Sequence, residues 1–307
     1  MNIVVCVKQV PDTWAEKKLN PADKTQDRDS VDNVMNEIDE YAVEEALRIK
    51  EKLGTGEVTV LTMGPDKAVE TIRKALSMGA DKAVHISDPA LHGTCVIQTS
   101  AVLAAALKGL EWDLVIAGSE ATDSRVSVMA PLLAEQLGVP QLSLARKVTV
   151  DGGNVTVERV TEDGYDVVSA ATPAIVSVVE KTNEPRYPSF KGIMAAKKKP
   201  LDTKTVADLG IDAGTVGLAG ATSEVVDFAN RPPRTKGEIV KDEGDGGVKI
   251  APRAGRDGQD RRSAVLLIQT TVHPTCSPCA APSPQRRSTT PVAQNREGHH
   301  AWPFVVK

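Results

Sequence analysis

Over its first 180 residues the chain alternates between two hydrophobic periods, and this alternation narrows the possible folds most. A β-branched run at 2–8 reads as a strand, and helical spacing of Ala42, Ala46, Leu47 and Ile49 follows within 39–53, ended by Gly54. Strand 57–62 leads to Gly64-Pro65 and a helix over 67–78, with Asp66 placed to cap it and Gly79 to stop it. Strand 82–87, an Ala- and Leu-rich helix over 93–108, a buried strand at 113–117 and a helix over 126–137 complete the series. The order β-α-β-α-β-α-β-α predicts an α/β fold with a mostly parallel twisted sheet and helices on both faces. Ligands in such sheets bind beyond the carboxyl ends of strands, near the reversal of strand order. The segments to search are therefore 6–12, 36–39, 63–66 and 118–127.

The pattern then changes. Val148-Thr149-Val150, Asp151-Gly152-Gly153-Asn154 and Val155-Thr156-Val157 predict a hairpin within 146–160. A last buried strand is expected at 174–180. It is followed by Asn183-Glu184-Pro185-Arg186-Tyr187-Pro188-Ser189-Phe190, a polar, proline-punctuated loop, and a short helix over about 191–198. Residues 201–251 are Gly- and Thr-rich, with one helical cue near 205–209, and read as an extended C-terminal arm. Residues 252–307 are out of character: Lys gives way to Arg, proline recurs, and the local charge flips from −9 in the body to +5. Such a tail cannot easily bury a core and is expected to be disordered.

Composition excludes several classes. Aromatic residues are 3% of the chain and the net charge is −4, which argues against nucleic-acid binding by stacking or by a basic footprint. The N-terminus lacks the basic and long apolar regions of a signal peptide, and no apolar run approaches the roughly 18 residues of a membrane span. Cys6 and Cys95 read as reduced thiols of a cytoplasmic protein. No GxGxxG follows the first strand, no P-loop motif is present, and Gly118-Ser119-Glu120 lacks the second glycine of a nucleophile elbow. His85 and His92 read as surface or helix-start residues, and Glu37, Asp39, Glu40, Glu44 and Glu45 as an acidic helix start suited to its dipole. His273, Cys276, Cys279, His299 and His300 have zinc-like spacing but lie wholly in the tail, so no metal is expected.

Four segments together resemble the beta subunit of bacterial-type electron-transfer flavoproteins. They are Val4-Val5-Cys6-Val7-Lys8-Gln9-Val10-Pro11-Asp12, the run Asn36 to Ala46, the run Lys74 to Ala83, and the long, unusual stretch Asn183 to Lys199. The resemblance extends in order to about residue 251 and breaks off there; a frameshifted or read-through C-terminus is the simplest account. It implies an adenine-nucleotide-binding, Rossmann-like domain over 1–200, an arm over 201–251 packing on an alpha subunit, and an aberrant tail over 252–307. It further implies a heterodimer with FAD held mainly by the alpha subunit, and AMP buried in this chain as a structural ligand. Carried over by position, the AMP contacts are Cys6, Asn36, Glu37, Ile38, Asp39, Met63, Ser119, Thr122, Asp123, Ser124, Arg125, Val126 and Ser127. A loop feeding a helix N-terminus offers N–H groups and a positive dipole end to a phosphate, and Asp123 could accept a hydroxyl or cap the helix.

The chain departs from the family there. Thr122-Asp123-Ser124-Arg125-Val126-Ser127-Val128 places side chains where the family usually carries glycines or threonine. Either Arg125 compensates by pairing with the phosphate, or the site is weakened.

Read from residues alone, the 183–199 segment divides evenly between an aromatic interaction loop and a Phe190 tucked into the core. The resemblance implies a partner-recognition loop: Asn183, Glu184, Pro185, Arg186, Tyr187, Phe190, Ile193, Met194 and Lys197, with Phe190 the apolar anchor. The partners it implies are acyl-CoA dehydrogenases and similar flavoenzymes as electron donors in fatty acid β-oxidation, and a membrane quinone oxidoreductase as acceptor. The chain itself would be an electron-carrier subunit with no catalytic residue. A free-standing adenine-nucleotide sensor on the same sheet is the rival, distinguished by needing no flavin partner. A third reading, an adenylating or hydrolysing enzyme, lacks the expected glycine- and serine-rich loop after the first strand.

Overall fold

Alternating apolar runs and amphipathic stretches build the chain as the periodicity demands. In the computed structural model, which describes residues 1–229, the elements run β1 (Ile3–Cys6), β2 (Gln9–Pro11), β3 (Asn33–Met35), α1 (Glu37–Leu53), β4 (Val58–Met63), α2 (Val69–Met78), β5 (Lys82–Ile86), α3 (Val96–Lys108), β6 (Leu114–Gly118), α4 (Met129–Leu137), β7 (Gln141–Asp151), β8 (Asn154–Thr161), β9 (Gly164–Ala171), β10 (Ala174–Val178), α5 (Phe190–Ala196), β11 (Leu201–Lys204) and α6 (Gly217–Gly220).

Among the described residues, nine strands form one sheet in the order β11-β5-β4-β1-β6-β10-β7-β8-β9. Every pairing from β11 to β7 is parallel, and β7-β8-β9 is an antiparallel meander. The central strands are buried on both faces, as their continuous Val/Ile/Leu runs require. One face packs Val5, Val58, Val60 and Ile116 against α1 and α2; the other packs Val4, Leu61, Val115 and Ile175 against α3 and α4. Strand order reverses around β1, which lies between β4 and β6. The crevice beyond Cys6 and Gly118 is therefore the switch point of the sheet.

Several expectations need correction. Asp66 does not cap α2: it begins a 3-10 turn, Asp66–Ala68, and its carboxylate accepts from Ser87 Oγ at 2.8 Å. The fourth helix starts at Met129, because Arg125 and Ser127 have φ of 50° and 57°, outside the helical region. The expected hairpin is a three-strand meander: β7 begins at Gln141, and the mostly exposed β9 adds a third strand that no local alternation announces. The strand before the loop ends at Val178. Leu201–Lys204, read as the start of an extended arm, pairs with β5 as the edge strand, and Val206 and Val216 bury in the α3/α4 core. The rest of the arm from residue 230, the tail and the zinc-like residues lie outside the described residues.

Candidate functional site

The carboxyl ends of β1 and β6 and the start of α1 converge on a group of buried polar side chains. Cys6, the last residue of β1, is buried, and burial, with the Asp39 charge adding to it, pushes its thiol up to about 12. It is therefore a thiol and not a thiolate nucleophile. Asn36 occupies the N-cap of α1 without capping it. Its Nδ2 instead donates to Asp39 Oδ1 and to the Glu120 carbonyl, both at 2.9 Å, and its Oδ1 accepts from the Thr122 N–H at 3.1 Å. One buried amide thus ties the helix start to the loop after β6.

Asp39 is buried too. Burial raises its carboxyl to about 7, against hydrogen bonds from Asn36 and from the Lys8 N–H, which donates to Oδ2 at 2.8 Å. Gly118 is required here: a Cβ would run into the Asp39 carboxylate and the Ile38 side chain. Ile38 is core; Glu37 is exposed and accepts from Thr13 Oγ1 at 3.0 Å. Met63 closes β4 and packs partly buried on the α3/α4 side. Ser119 donates its N–H to the Val178 carbonyl at 2.8 Å.

The loop after β6 departs from the sequence expectation. Asp123 caps no helix; Val128 is the N-cap of α4 and has no side-chain bond. The Asp123 side chain is 1% exposed and receives Lys8 Nζ at 2.8 Å and Arg28 Nη2 at 2.7 Å. Burial alone would raise its carboxyl, but the two cations hold it below the usual range. Thr122 Oγ1 is buried and has no partner. Ser124, Arg125, Val126 and Ser127 are exposed; Arg125 reaches toward Glu120 at 3.8 Å, and Ser127 Oγ donates to Glu120 at 3.1 Å. Lys8 lies inside the strand-end segment 6–12, but nothing in its local pattern marks it as an ion-pair partner. Arg28 stands in a stretch without periodicity, where no sequence signal marks it.

A second group forms around the 183–199 segment. Arg186 makes two forks: Nε and Nη2 donate to the Glu44 carboxylate at 2.7 and 3.0 Å, and Nη1 and Nη2 to Glu51 at 2.5 and 3.0 Å. Burial would push the Glu44 carboxyl up, but Arg186, helped by Arg48, brings it below the usual range. Asn183 Nδ2 donates to the Tyr41 carbonyl at 3.0 Å and to Glu45 at 2.9 Å. Glu44 and Glu45, which read in the sequence as part of an acidic helix start suited to its dipole, are buried and anchor the loop.

The far end is held as firmly. Ser189 caps α5 by accepting from the Gly192 N–H at 3.0 Å, and Arg73 Nη1 donates to the Ala196 carbonyl at 2.6 Å. Gly192 lies so close to α2 that a Cβ would sit 2.5 Å from the Ser77 carbonyl oxygen. Between these braces Tyr187 is 96% and Phe190 81% exposed, with Ile193 and Met194 beside them about half exposed. Glu184 and Lys197 are exposed, and Pro185 is partly buried. The core position considered for Phe190 is not the one it takes.

Among the described residues no group of His, Cys, Asp and Glu could hold a metal ion, and no helix is long and apolar enough to cross a membrane. These features define a doubly wound α/β protein with a polar switch point and a braced, apolar surface loop. The family profile described as "Electron transfer flavoprotein domain" matches residues 24–209. The chain is 54% identical over 254 residues to the electron transfer flavoprotein subunit beta of Mycobacterium leprae, covering 81% of this chain and 96% of that one. It is 41% identical over 240 residues to the subunit beta of Thermoanaerobacterium thermosaccharolyticum, covering 78% and 92%. It is also 36% identical over 241 residues to the caffeyl-CoA reductase-Etf complex subunit CarD of Acetobacterium woodii, covering 78% and 92%. The chain belongs to the electron-transfer flavoprotein family, as a beta subunit: an electron-carrier component and not an enzyme.

Proposed function

We propose that this chain is the beta subunit of a cytoplasmic heterodimer in which an alpha subunit holds most of the FAD and this chain holds AMP. The heterodimer takes electrons from acyl-CoA dehydrogenases and similar flavoenzymes of fatty acid β-oxidation and passes them to a membrane quinone oxidoreductase. FAD supplies the redox chemistry; this chain's residues bind, position and dock. The observation that carries the reading is the braced loop. Exposed Tyr187 and Phe190 stand on a base locked by Arg186, Asn183 and Arg73, a costly arrangement for a free surface and a suitable one for an interface anchor. Ile193, Met194 and Lys197 extend the contact surface, whereas Asn183 and Arg186 serve as its mount.

The switch point suits an adenine nucleotide. It offers the buried, unpartnered Thr122 Oγ1 and the polar rim of Asn36, Asp39 and Ser119, with Cys6, Ile38 and Met63 as its apolar wall. Residues 201–251 form the contact with the alpha subunit in this reading.

Co-expression with a candidate alpha subunit, size exclusion with flavin absorbance, and nucleotide extraction test the proposal. A yellow 1:1 complex releasing FAD and AMP is expected. A colourless protein that binds AMP unchanged without any partner would instead indicate a free-standing sensor.

A further inference from the structure

Three elements deliver charge to one point at the switch of the sheet. Lys8 follows β1, Arg28 comes from the connection between β2 and β3, and Asp123 lies in the loop after β6. Asp123 and Lys8 are 115 residues apart, Asp123 and Arg28 95. We propose that Lys8 and Arg28 form an anion-binding pair that takes the phosphate of the adenine nucleotide, with Asp123 as the buried positioning residue beneath them. This rests on the nucleotide reading above and adds the residues that would engage the phosphate.

Burial gives the direction. The Asp123 side chain is 1% exposed, whereas those of Lys8 and Arg28 are 39% and 32% exposed. An approaching anion meets the cations and not the carboxylate. Two cations share one carboxylate, so the cluster keeps an excess positive charge. The ammonium of Lys8 has three hydrogens and gives one to Asp123; Arg28 gives one to Asp123 and one to the Gln9 carbonyl at 3.3 Å out of its five. Donors remain for phosphate oxygens, and a guanidinium fork matches them in shape.

The neighbouring groups agree. Thr122 Oγ1, one residue away, is buried and unpartnered, and Lys17 Nζ donates to the Thr122 carbonyl at 2.9 Å, adding a third cation at the rim. The nearby acids have partners of their own: Glu37 accepts from Thr13, Glu120 faces Ser127 and Arg125, and Asp39, whose carboxyl burial raises to about 7, accepts from Asn36 and the Lys8 N–H. Burial lowers the Lys8 pKa, with Asp123 opposing; a dianion at its open side would raise it again.

The test is calorimetric titration of the full-length chain, purified with its partner subunit and stripped of nucleotide. AMP and adenosine are titrated separately into wild type, Lys8→Gln, Arg28→Gln and Lys8→Arg. Wild type should bind AMP more tightly than adenosine. Each Gln variant should lose about tenfold or more in AMP affinity, the worth of one charged hydrogen bond, with adenosine affinity unchanged. Lys8→Arg should keep the AMP preference. AMP affinity unchanged in both Gln variants overturns the pair and leaves the nucleotide reading standing. So does a wild type that binds adenosine as tightly as AMP, a result that needs no variant to fold. A wild type that binds neither sinks the nucleotide reading and this inference with it.

Discussion

Asp39 shows how burial sets a residue's chemistry. Its carboxyl holds a proton to about pH 7, against a usual value of 3.8. Across that window the native chain binds more protons than the unfolded one, so this contribution to stability is complete at low pH and disappears as pH rises through about 7. Asp39→Asn removes the titration while keeping an acceptor for the Lys8 N–H. In urea unfolding from about pH 4 to pH 8, the stability of wild type relative to the variant should fall steadily and then level off. A difference independent of pH would show that Asp39 does not titrate there. Arg125 carries the opposite kind of cost. Its φ of 50° is left-handed, and its exposed side chain gains only a 3.8 Å approach to Glu120. Arg125→Gly should raise stability by about 1 kcal/mol, read from the urea midpoint. A loss would mean that the side chain holds the loop through a contact beyond Glu120. Both residues were named from the sequence; their protonation and strain depend on the neighbours that bury or expose them.

At the scale of elements, α1 does two jobs with one acidic stretch. Its N-cap Asn36 and first-turn Asp39 close the polar switch point, and Glu44 and Glu45 in its middle and Glu51 in its last turn anchor the exposed loop. Arg186→Met leaves the buried Glu44 with Arg48 and the N–H of residue 186 as its remaining partners. Stability should drop by about 2–3 kcal/mol, less than for a fully abandoned buried charge because Arg48 stays and Glu51 is exposed. Docking to a donor flavoenzyme should weaken as well, since the tip loses its mount. Equilibrium unfolding and a docking titration on the same sample would separate the two effects. Unchanged stability would remove Arg186 from the role of brace. In the sequence these acids look like an ordinary helix start, because the arginine that claims them is 142 residues away.

Across the whole molecule, the match to the Mycobacterium leprae subunit uses 96% of that chain but 81% of this one. In composition, a basic, proline-rich stretch over 252–307 differs from the acidic body before it. A chain ended after residue 251, co-expressed with the alpha subunit, should give the same flavin-containing complex as the full chain on size exclusion. Loss of the complex on truncation would make the tail part of the assembly. The sequence alone determined the alternating parallel strands and helices, the switch-point crevice and the exposed loop. All three are written in local periods: β-branched runs, apolar spacing on helix faces, and proline-punctuated polar segments. Tertiary structure alone decided the rest. β2, β3, β9 and β11 are short or half-exposed strands whose hydrogen bonds come from partners distant in the chain or offer no hydrophobic alternation to read. Asp123 became an ion-pair centre and not a helix cap because the fold carries Lys8 and Arg28 to it from 115 and 95 residues away. Burial, which no single segment encodes, then fixed which of the charges stay charged.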